Sequence, residues 1–419
     1  MKFPNPLEKI TSYIDKSQLQ FALIVYSIPL VCFLINKFQV QKFQSLFSLA
    51  TLILLYGFYQ TGFLLVYVFI NIILIYQLRN QKFKENYSFC FSMISLFFFH
   101  FYFKILKIPD ERDICSSVMM VNIMIFWVSK EFIFENDKLS DMFNYLMNMG
   151  GIFFGPPITY NMFMKRHLEE KNQKDEKKQK EEKVIKKEKS NFFKDNEGLS
   201  SIFISIIYLA IHVILSKNFT FSENRKNFLK DFIYMVVSSF SLRCKFYFIW
   251  TLSSSYFHYL GYENIKNIFP WKIETSKNVK DLTSSWNVYT NLWLKESVFM
   301  PFKKTNNTLA GVLTFFASSF FHGPNICYAI MFLTFAFISK PIKELNERIS
   351  KLEKYIGKFF ANLLLNVQMF VMLSYLCVPF VSLNLSHTYK VWKSVYFFGH
   401  FHLLLCLSFS FLKNIKIKT

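Results

Sequence analysis

Long apolar runs rich in phenylalanine recur along the whole chain, and they constrain its fold more than any other feature. Hydrophobic residues make up 52% of the sequence, and phenylalanine alone supplies 54 of its 419 residues. These residues gather into runs of roughly membrane-spanning length, unlike the dispersed pattern of a soluble core. Because backbone polar groups in lipid must find partners within their own segment, such runs form helices. The sequence therefore predicts an all-α, polytopic integral membrane bundle.

The apolar runs also predict how often the chain crosses the membrane. They cover residues 20–37, 44–60, 61–78, 87–104, 114–129, 141–164, 199–217, 228–242, 246–262, 307–321, 324–339, 359–385 and 394–412. Several are shorter than the ~20 residues of a simple crossing, so we expect about nine to eleven true crossings. The first run follows a polar N-terminus without a small-residue cleavage site and predicts an uncleaved anchor. We expect residues 1–419 to form a single integral-membrane domain.

The charged residues lie mainly at the ends of these runs and in loops. The formal net charge is +21, but lysines at such positions orient membrane helices and meet anionic lipid heads. Residues 340–358 hold six basic and three acidic side chains and predict a cytosolic loop. Residues 165–197 form a charged low-complexity loop, interpreted as a solvated tether or a regulatory segment. Because no basic face carries groove-reading elements, nucleic acid is excluded as a partner.

Metal-binding and disulfide patterns are missing from the sequence. Its seven cysteines are scattered without a CxxC pair, which is typical of small buried thiols. His400 and His402 have no clear third ligand, so no metal site is predicted. The sequence also lacks a glycine-rich phosphate loop and the internal repeat that many transporters carry.

Polar side chains embedded among aromatic ones concentrate in residues 243–339, which we interpret as the catalytic motif region. Asn287 follows Trp286, and His322 lies at the end of a phenylalanine-rich run. An imidazole in lipid needs partners for its ring nitrogens, so His322 is either a hydrogen-bonded packing residue or a functional group facing a cavity. Gly323-Pro324 should break the helix beside it, which is tolerated at membrane depth only within protein or a cavity. We expect a catalytic cavity or tunnel.

The order of these motifs resembles that of a known family. Trp286-Asn287, then Trp293-Leu294-Lys295, then His322-Gly323 resembles the membrane-bound O-acyltransferase (MBOAT) family, with 35 residues between Asn287 and His322. The segments 151–156 and 332–338 are similar to its porcupine branch, which acylates Wnt proteins on serine. Residues 271–275, Trp-Lys-Ile-Glu-Thr, look like the lysophospholipid acyltransferases of the same family. Those enzymes usually carry tryptophan where this chain has Phe321.

The resemblance implies a multi-pass enzyme of the endoplasmic reticulum membrane. It would move a monounsaturated fatty acyl group from acyl-CoA, as palmitoleoyl-CoA, to a serine of a secreted Wnt-like protein, without any cofactor. The alternative within the family is a lysophospholipid acyltransferase, in which the acceptor is a lysophospholipid among the membrane lipids. A second alternative is a membrane transporter with His322 in a ligand or proton path.

The acyl-transfer chemistry assigns roles to two residues. His322 is the predicted base, because its unperturbed pKa of ~6.5 lies near working pH and a desolvated pocket should keep it neutral. Asn287 is predicted to orient the reacting groups or the thioester carbonyl without adding charge. Further candidates for substrate contact lie in the aromatic and polar surroundings: Trp286, Trp293, Ser318, His258 and Phe154.

Overall fold

A computed structural model describes residues 16–40, 43–105, 114–169, 196–219, 221 and 227–416. All regular secondary structure within these ranges is helical, which confirms the predicted all-α membrane protein. The polar N-terminus and most of the charged loop 165–197 lie outside the described residues.

The described residues contain long helices joined by short ones. The first six are α1 (Lys16–Lys37), α2 (Gln44–Gln77), α3 (Lys84–Ile105), α4 (Cys115–Glu131), α5 (Leu139–Leu146) and α6 (Asn196–Asn218). Next come α7 (Phe228–Tyr259), α8 (Pro270–Glu274), α9 (Val279–Ser285), α10 (Val288–Leu294), a π-helical turn (Lys295–Phe299) and α11 (Met300–Lys303). The last are α12 (Asn307–Phe321), α13 (Ile326–Lys351), α14 (Glu353–Ile356), α15 (Lys358–Leu376), α16 (Val378–Ser382), α17 (Leu385–Ser394) and α18 (Phe398–Lys416).

Several of the described helices are long and apolar enough to cross a bilayer. Among the described residues, six helices have the length and composition of a span, and two shorter apolar helices occur at Asn307–Phe321 and Phe398–Ser408. Neighbouring apolar runs have merged: 44–60 and 61–78 form α2, while 228–242 and 246–262 form α7. The run 141–164 contains only the short α5, a series of turns and a second helical stretch that begins at residue 160.

The two long elements differ in continuity. α2 consists of two helical stretches divided at Gly57, where φ is 85° and ψ is 169°. In α7 the charge that separates the two runs belongs to Arg243, whose guanidinium is paired with the Glu274 carboxylate. A paired charge can remain inside an apolar helix, so the backbone need not leave it.

Two compact units divide the chain. The first unit comprises residues 1–206 and 248–267, and the second comprises residues 207–247 and 268–419. The single integral-membrane domain expected from the sequence stays a prediction.

Buried polar bonds join helices within the first unit. The Tyr67 hydroxyl donates to Asn122 Oδ1 at 2.5 Å, and Asn122 Nδ2 donates to the Ser92 carbonyl at 3.0 Å. These contacts tie α2 to α4 and α4 to α3 in surroundings where an unsatisfied polar group is costly.

Asparagine side chains cap five helices of the second unit. Their side-chain oxygens accept backbone N–H groups of the first turn, as is usual for an N-cap. The five residues are Asn227, Asn278, Asn306, Asn325 and Asn384. They set where α7, α9, α12, α13 and α17 begin, and therefore where the loops before them end.

Candidate active site

Asn287 lies in the link between α9 and α10 and has an unusual backbone conformation. It is the N-cap of α10 with φ 46° and ψ 58°, in the left-handed region. Unlike the asparagines that cap helices elsewhere in this unit, its side chain makes no capping hydrogen bond. Asparagine is one of the few residues that tolerate this region, at a cost of roughly 1–2 kcal/mol for an ordinary side chain. The Asn287 side chain is therefore not used to cap α10.

His322 lies where α12 ends. It directly follows Phe321, the last residue of the helix, and Gly323 after it has φ 105°. The chain then passes Pro324 and restarts as α13, with the Asn325 side chain accepting the Cys327 N–H at 3.0 Å. The break predicted at Gly323-Pro324 is therefore present. It leaves His322 half-buried at the junction of two apolar helices.

Aromatic rings surround the imidazole of His322. The Phe332 ring stacks on it, with a centroid separation of 5.3 Å and planes 15° apart. The Tyr328 ring lies 5.3 Å away, and the Phe380 ring meets the imidazole edge-on at 5.4 Å. These rings border the imidazole of the half-buried His322 and limit how it can orient.

Two aromatic links join the surroundings of Asn287 to those of His322. In the first, Trp293 of α10, which is fully buried, packs on Phe321 of α12 at 5.0 Å. In the second, Phe246 of α7 contacts Trp286 at 5.5 Å and Phe380 at 6.2 Å. The structure thus places the helix that follows Asn287 against the helix that precedes His322.

The other predicted contact residues divide between the two units. Ser318 lies four residues before His322, one turn earlier in α12, and is half-buried. Phe154 and His258 belong to the first unit instead. The Phe154 carbonyl accepts Trp250 Nε1 at 3.2 Å, and His258 Nδ1 lies 3.8 Å from a carboxylate oxygen of Glu197. The substrate contacts proposed for these residues stay predictions.

Several residues around His322 were not predicted from the sequence. Phe246 and Phe380 reach the site from α7 and α16, and nothing in their local sequences separates them from other phenylalanines of the chain. Tyr328 and Phe332 follow the histidine by six and ten residues. A helix that restarts after Pro324 would bring both rings back toward His322, so the sequence did contain a signal for these two contacts. The Thr290 hydroxyl was also missed: it is buried one turn after Asn287, without a hydrogen-bond partner among the described residues.

The described parts of the chain contain no group of three histidine, cysteine or acidic side chains placed to bind a metal ion.

The fold and the site together define the class of protein. It is an all-helical integral membrane protein in which aromatic rings border an imidazole and an asparagine lies on a neighbouring element. The profile of the family described as "MBOAT, membrane-bound O-acyltransferase family" matches residues 45–381. This match covers most of the sequence, and the chain belongs to that family.

Curated proteins from several organisms resemble part of the chain. The "Lysophospholipid acyltransferase" of Schizosaccharomyces pombe is 29% identical over 206 residues, which cover 42% of this chain and 39% of that protein. "Membrane-bound glycerophospholipid O-acyltransferase 1" of Mus musculus is 27% identical over 235 residues, or 50% of this chain and 46% of the relative. The "Lysophospholipid acyltransferase" of Saccharomyces cerevisiae is 27% identical over 213 residues, or 44% and 33%. The chain thus matches less than half the length of each of these relatives.

Proposed function

We propose that the chain is an O-acyltransferase that moves a fatty acyl group from acyl-CoA to the free hydroxyl of a lysophospholipid. The observation that carries this proposal is the enclosed His322, which ends an apolar helix packed on the helix that Asn287 begins. The names of the similar proteins support the acceptor class, since they describe lysophospholipid and glycerophospholipid acyltransferases.

The proposed reaction uses each of the two residues in a defined step. His322 takes the proton of the acceptor hydroxyl as the oxygen attacks the thioester carbonyl. The Asn287 amide donates to the carbonyl oxygen, on which negative charge develops. The C–S bond then breaks, a C–O ester bond forms, and the proton passes from His322 to the departing CoA sulfur. No redox change occurs, so the activated donor supplies the free energy.

The acceptor is the point on which the sequence and the comparisons differ. The segments 151–156 and 332–338 led us to expect a serine of a secreted Wnt-like protein, with palmitoleoyl-CoA as donor. The relatives instead favour the lysophospholipid alternative, which the segment 271–275 had also indicated. An endoplasmic reticulum location goes with either acceptor and belongs to the proposal. A transporter would move a solute without releasing CoA.

The test measures transfer with purified protein in lipid nanodiscs. Radiolabelled acyl-CoA of several chain lengths is offered with lysophospholipids or with a Wnt-like serine peptide, and both CoA release and labelled product are followed. We expect label on the lysophospholipid. Label on the peptide alone would contradict the proposed acceptor, and absence of CoA release with every acceptor would contradict acyl transfer.

The mechanism is tested with His322→Ala and a matched histidine variant. We expect His322→Ala to lower kcat by about 10²- to 10⁴-fold, the usual contribution of a general base. His387→Ala is the control, because its Nε2 lies 3.3 Å from the Tyr234 hydroxyl in the same unit and no role in transfer is assigned to it. A His322→Ala protein with wild-type turnover would refute the proposed base.

A further inference from the structure

A charged pair that the proposed chemistry does not use is buried in the second unit. Arg243 of α7 is only 2% exposed, and its Nε and Nη2 donate to the two oxygens of Glu274 at 2.7 and 2.9 Å. The Tyr247 hydroxyl donates to the same carboxylate at 2.6 Å. Removing one partner of such a pair leaves an uncompensated buried charge, so the three side chains are strongly constrained to stay together.

The remaining surface of the guanidinium is also occupied. Nη1 donates to the Ser239 hydroxyl at 2.9 Å, and the rings of Phe240 and Phe370 lie 5.4 and 5.5 Å from the guanidinium carbon. Arginine can fill this site because its planar fork binds a carboxylate through two bonds while its faces lie against aromatic rings. A lysine ammonium would keep the charge but lose the paired geometry.

The same network reaches the segment that contains Asn287. The Tyr247 ring contacts the Trp286 ring at 6.1 Å, and Trp286 directly precedes Asn287. The neighbouring Phe246 contacts both Trp286 and Phe380, and Phe380 meets His322. The side chains of residues 246 and 247 on α7 therefore stand between the charged pair and both candidate active-site residues.

The segment from α8 to Asn287 is attached to α7 by this pair. It consists of two short helices, and its ends are held together where the Phe269 N–H donates to the Ser285 carbonyl at 3.0 Å. Glu274, the last residue of α8, is the point at which the pair ties this segment to α7. Asn287 follows this segment in a left-handed conformation, which asparagine tolerates.

We propose that Arg243, Glu274 and Tyr247 form a positioning network that holds the Trp286–Asn287 segment in register with His322. The three residues act through Trp286 and do not contact the reacting groups. This inference rests on the proposed function, because it assigns these residues a part in the same acyl transfer.

The test compares Tyr247→Phe with Tyr67→Phe in the purified, membrane-reconstituted protein. Each substitution removes one buried hydroxyl that donates at 2.5–2.6 Å, but Tyr67 belongs to the first unit. We expect Tyr247→Phe to lower kcat by about tenfold, with the KM for acyl-CoA within about twofold of wild type, because small misplacements of a reacting group are costly. Tyr67→Phe should lower the thermal midpoint without lowering kcat. Arg243→Lys and Glu274→Gln should reduce kcat further, by up to about 10²-fold.

A double-variant cycle separates positioning from general destabilisation. If the network acts through Trp286, the losses in kcat caused by Tyr247→Phe and Trp286→Phe will not add, whereas those of Tyr67→Phe and Trp286→Phe will. The same cycle on thermal midpoints gives a second readout that needs no turnover. The inference would be overturned if the effects of Tyr247→Phe and Trp286→Phe were additive both in kcat and in thermal midpoint. A Tyr247→Phe protein with wild-type kcat would also overturn it.

The two proposals fail in different measurements. Failure of the proposed function appears in the wild-type protein, as absence of CoA release, or in His322→Ala, as unchanged turnover. Failure of the positioning network appears only when the kcat values and thermal midpoints of the Tyr247, Tyr67 and Trp286 variants are compared with one another. If Glu274→Gln does not fold, the Tyr247→Phe cycle still decides the question.

Discussion

At the scale of single residues, the site combines a strained backbone with an enclosed ring. Asn287 has φ 46°, whereas His322 owes its place to the helix end between Phe321 and Gly323. Neither residue is unusual as a type in a membrane helix end. What makes them candidates is that the same unit supplies aromatic contacts to Trp286 on one side and to His322 on the other.

The backbone and the amide of Asn287 can be tested separately. Asn287→Gly keeps access to the left-handed region and removes the amide, while Asn287→Ala removes the amide and adds strain of about 1 kcal/mol. We expect both variants to lose about 10²-fold or more in kcat, as for removal of an oxyanion donor. Only Asn287→Ala should also lose stability in thermal unfolding. If Asn287→Gly kept wild-type turnover, the amide would have no part in transfer.

At the scale of elements, breaks within helices position the chain as much as the helices do. The break at Gly57 divides the 34 residues of α2, which is longer than a simple crossing requires, into two helical stretches. The break at Gly323-Pro324 lets His322 end one helix near the start of the next. In both places a glycine occupies a positive φ that other residues rarely adopt.

Gly57 and Gly62 provide a matched pair in α2. A methyl group at either position meets nothing within 4 Å, so any effect of alanine is a backbone effect. Gly57→Ala should destabilise the protein by about 1–3 kcal/mol, because φ 85° with ψ 169° is nearly exclusive to glycine. Gly62→Ala should be neutral or stabilising by up to about 1 kcal/mol, since alanine favours a helix. Equal stabilities of the two variants in thermal unfolding would contradict this assignment.

At the scale of the whole molecule, exposed apolar side chains indicate that the helices are surrounded by lipid. The span within α6 has only 11% of its residues buried, and the side chains of Phe203, Ile206 and Ile207 are exposed. So much apolar surface on a helix is stable only against hydrocarbon. The exposed face of the α6 span is therefore lipid-facing.

Ile207→Lys tests the lipid contact of α6. A lysine near the centre of a spanning helix costs about 2.5–3.5 kcal/mol on insertion scales, so the fraction resistant to alkaline extraction from membranes should fall. Thr305→Lys is the matched control, because Thr305 is exposed in the link between α11 and α12, next to two lysines. Equal extraction of the two variants would show that α6 does not face lipid at residue 207.

The apolar runs predict the helical architecture, but they do not predict which runs belong to the same helix. The runs predicted helices correctly because backbone groups in lipid must bond within their own segment. Two apolar runs within α7 were treated as separate because Arg243 looks like an interruption when it is viewed alone. Arg243 remains within α7 because Glu274, 31 residues later, neutralises it. No local pattern contains that information.

The sequence by itself determined the membrane class, the helical fold and the ordered pair Asn287 and His322, because each depends on residue type and short-range spacing. Only the tertiary structure decided which side chains enclose the imidazole and which charge holds the Trp286 segment. Phe246, Phe380 and Glu274 come from different elements, and their contacts exist only once those elements pack. In a chain with 54 phenylalanines, composition cannot distinguish the rings that line a site from those that face lipid, because packing alone separates them.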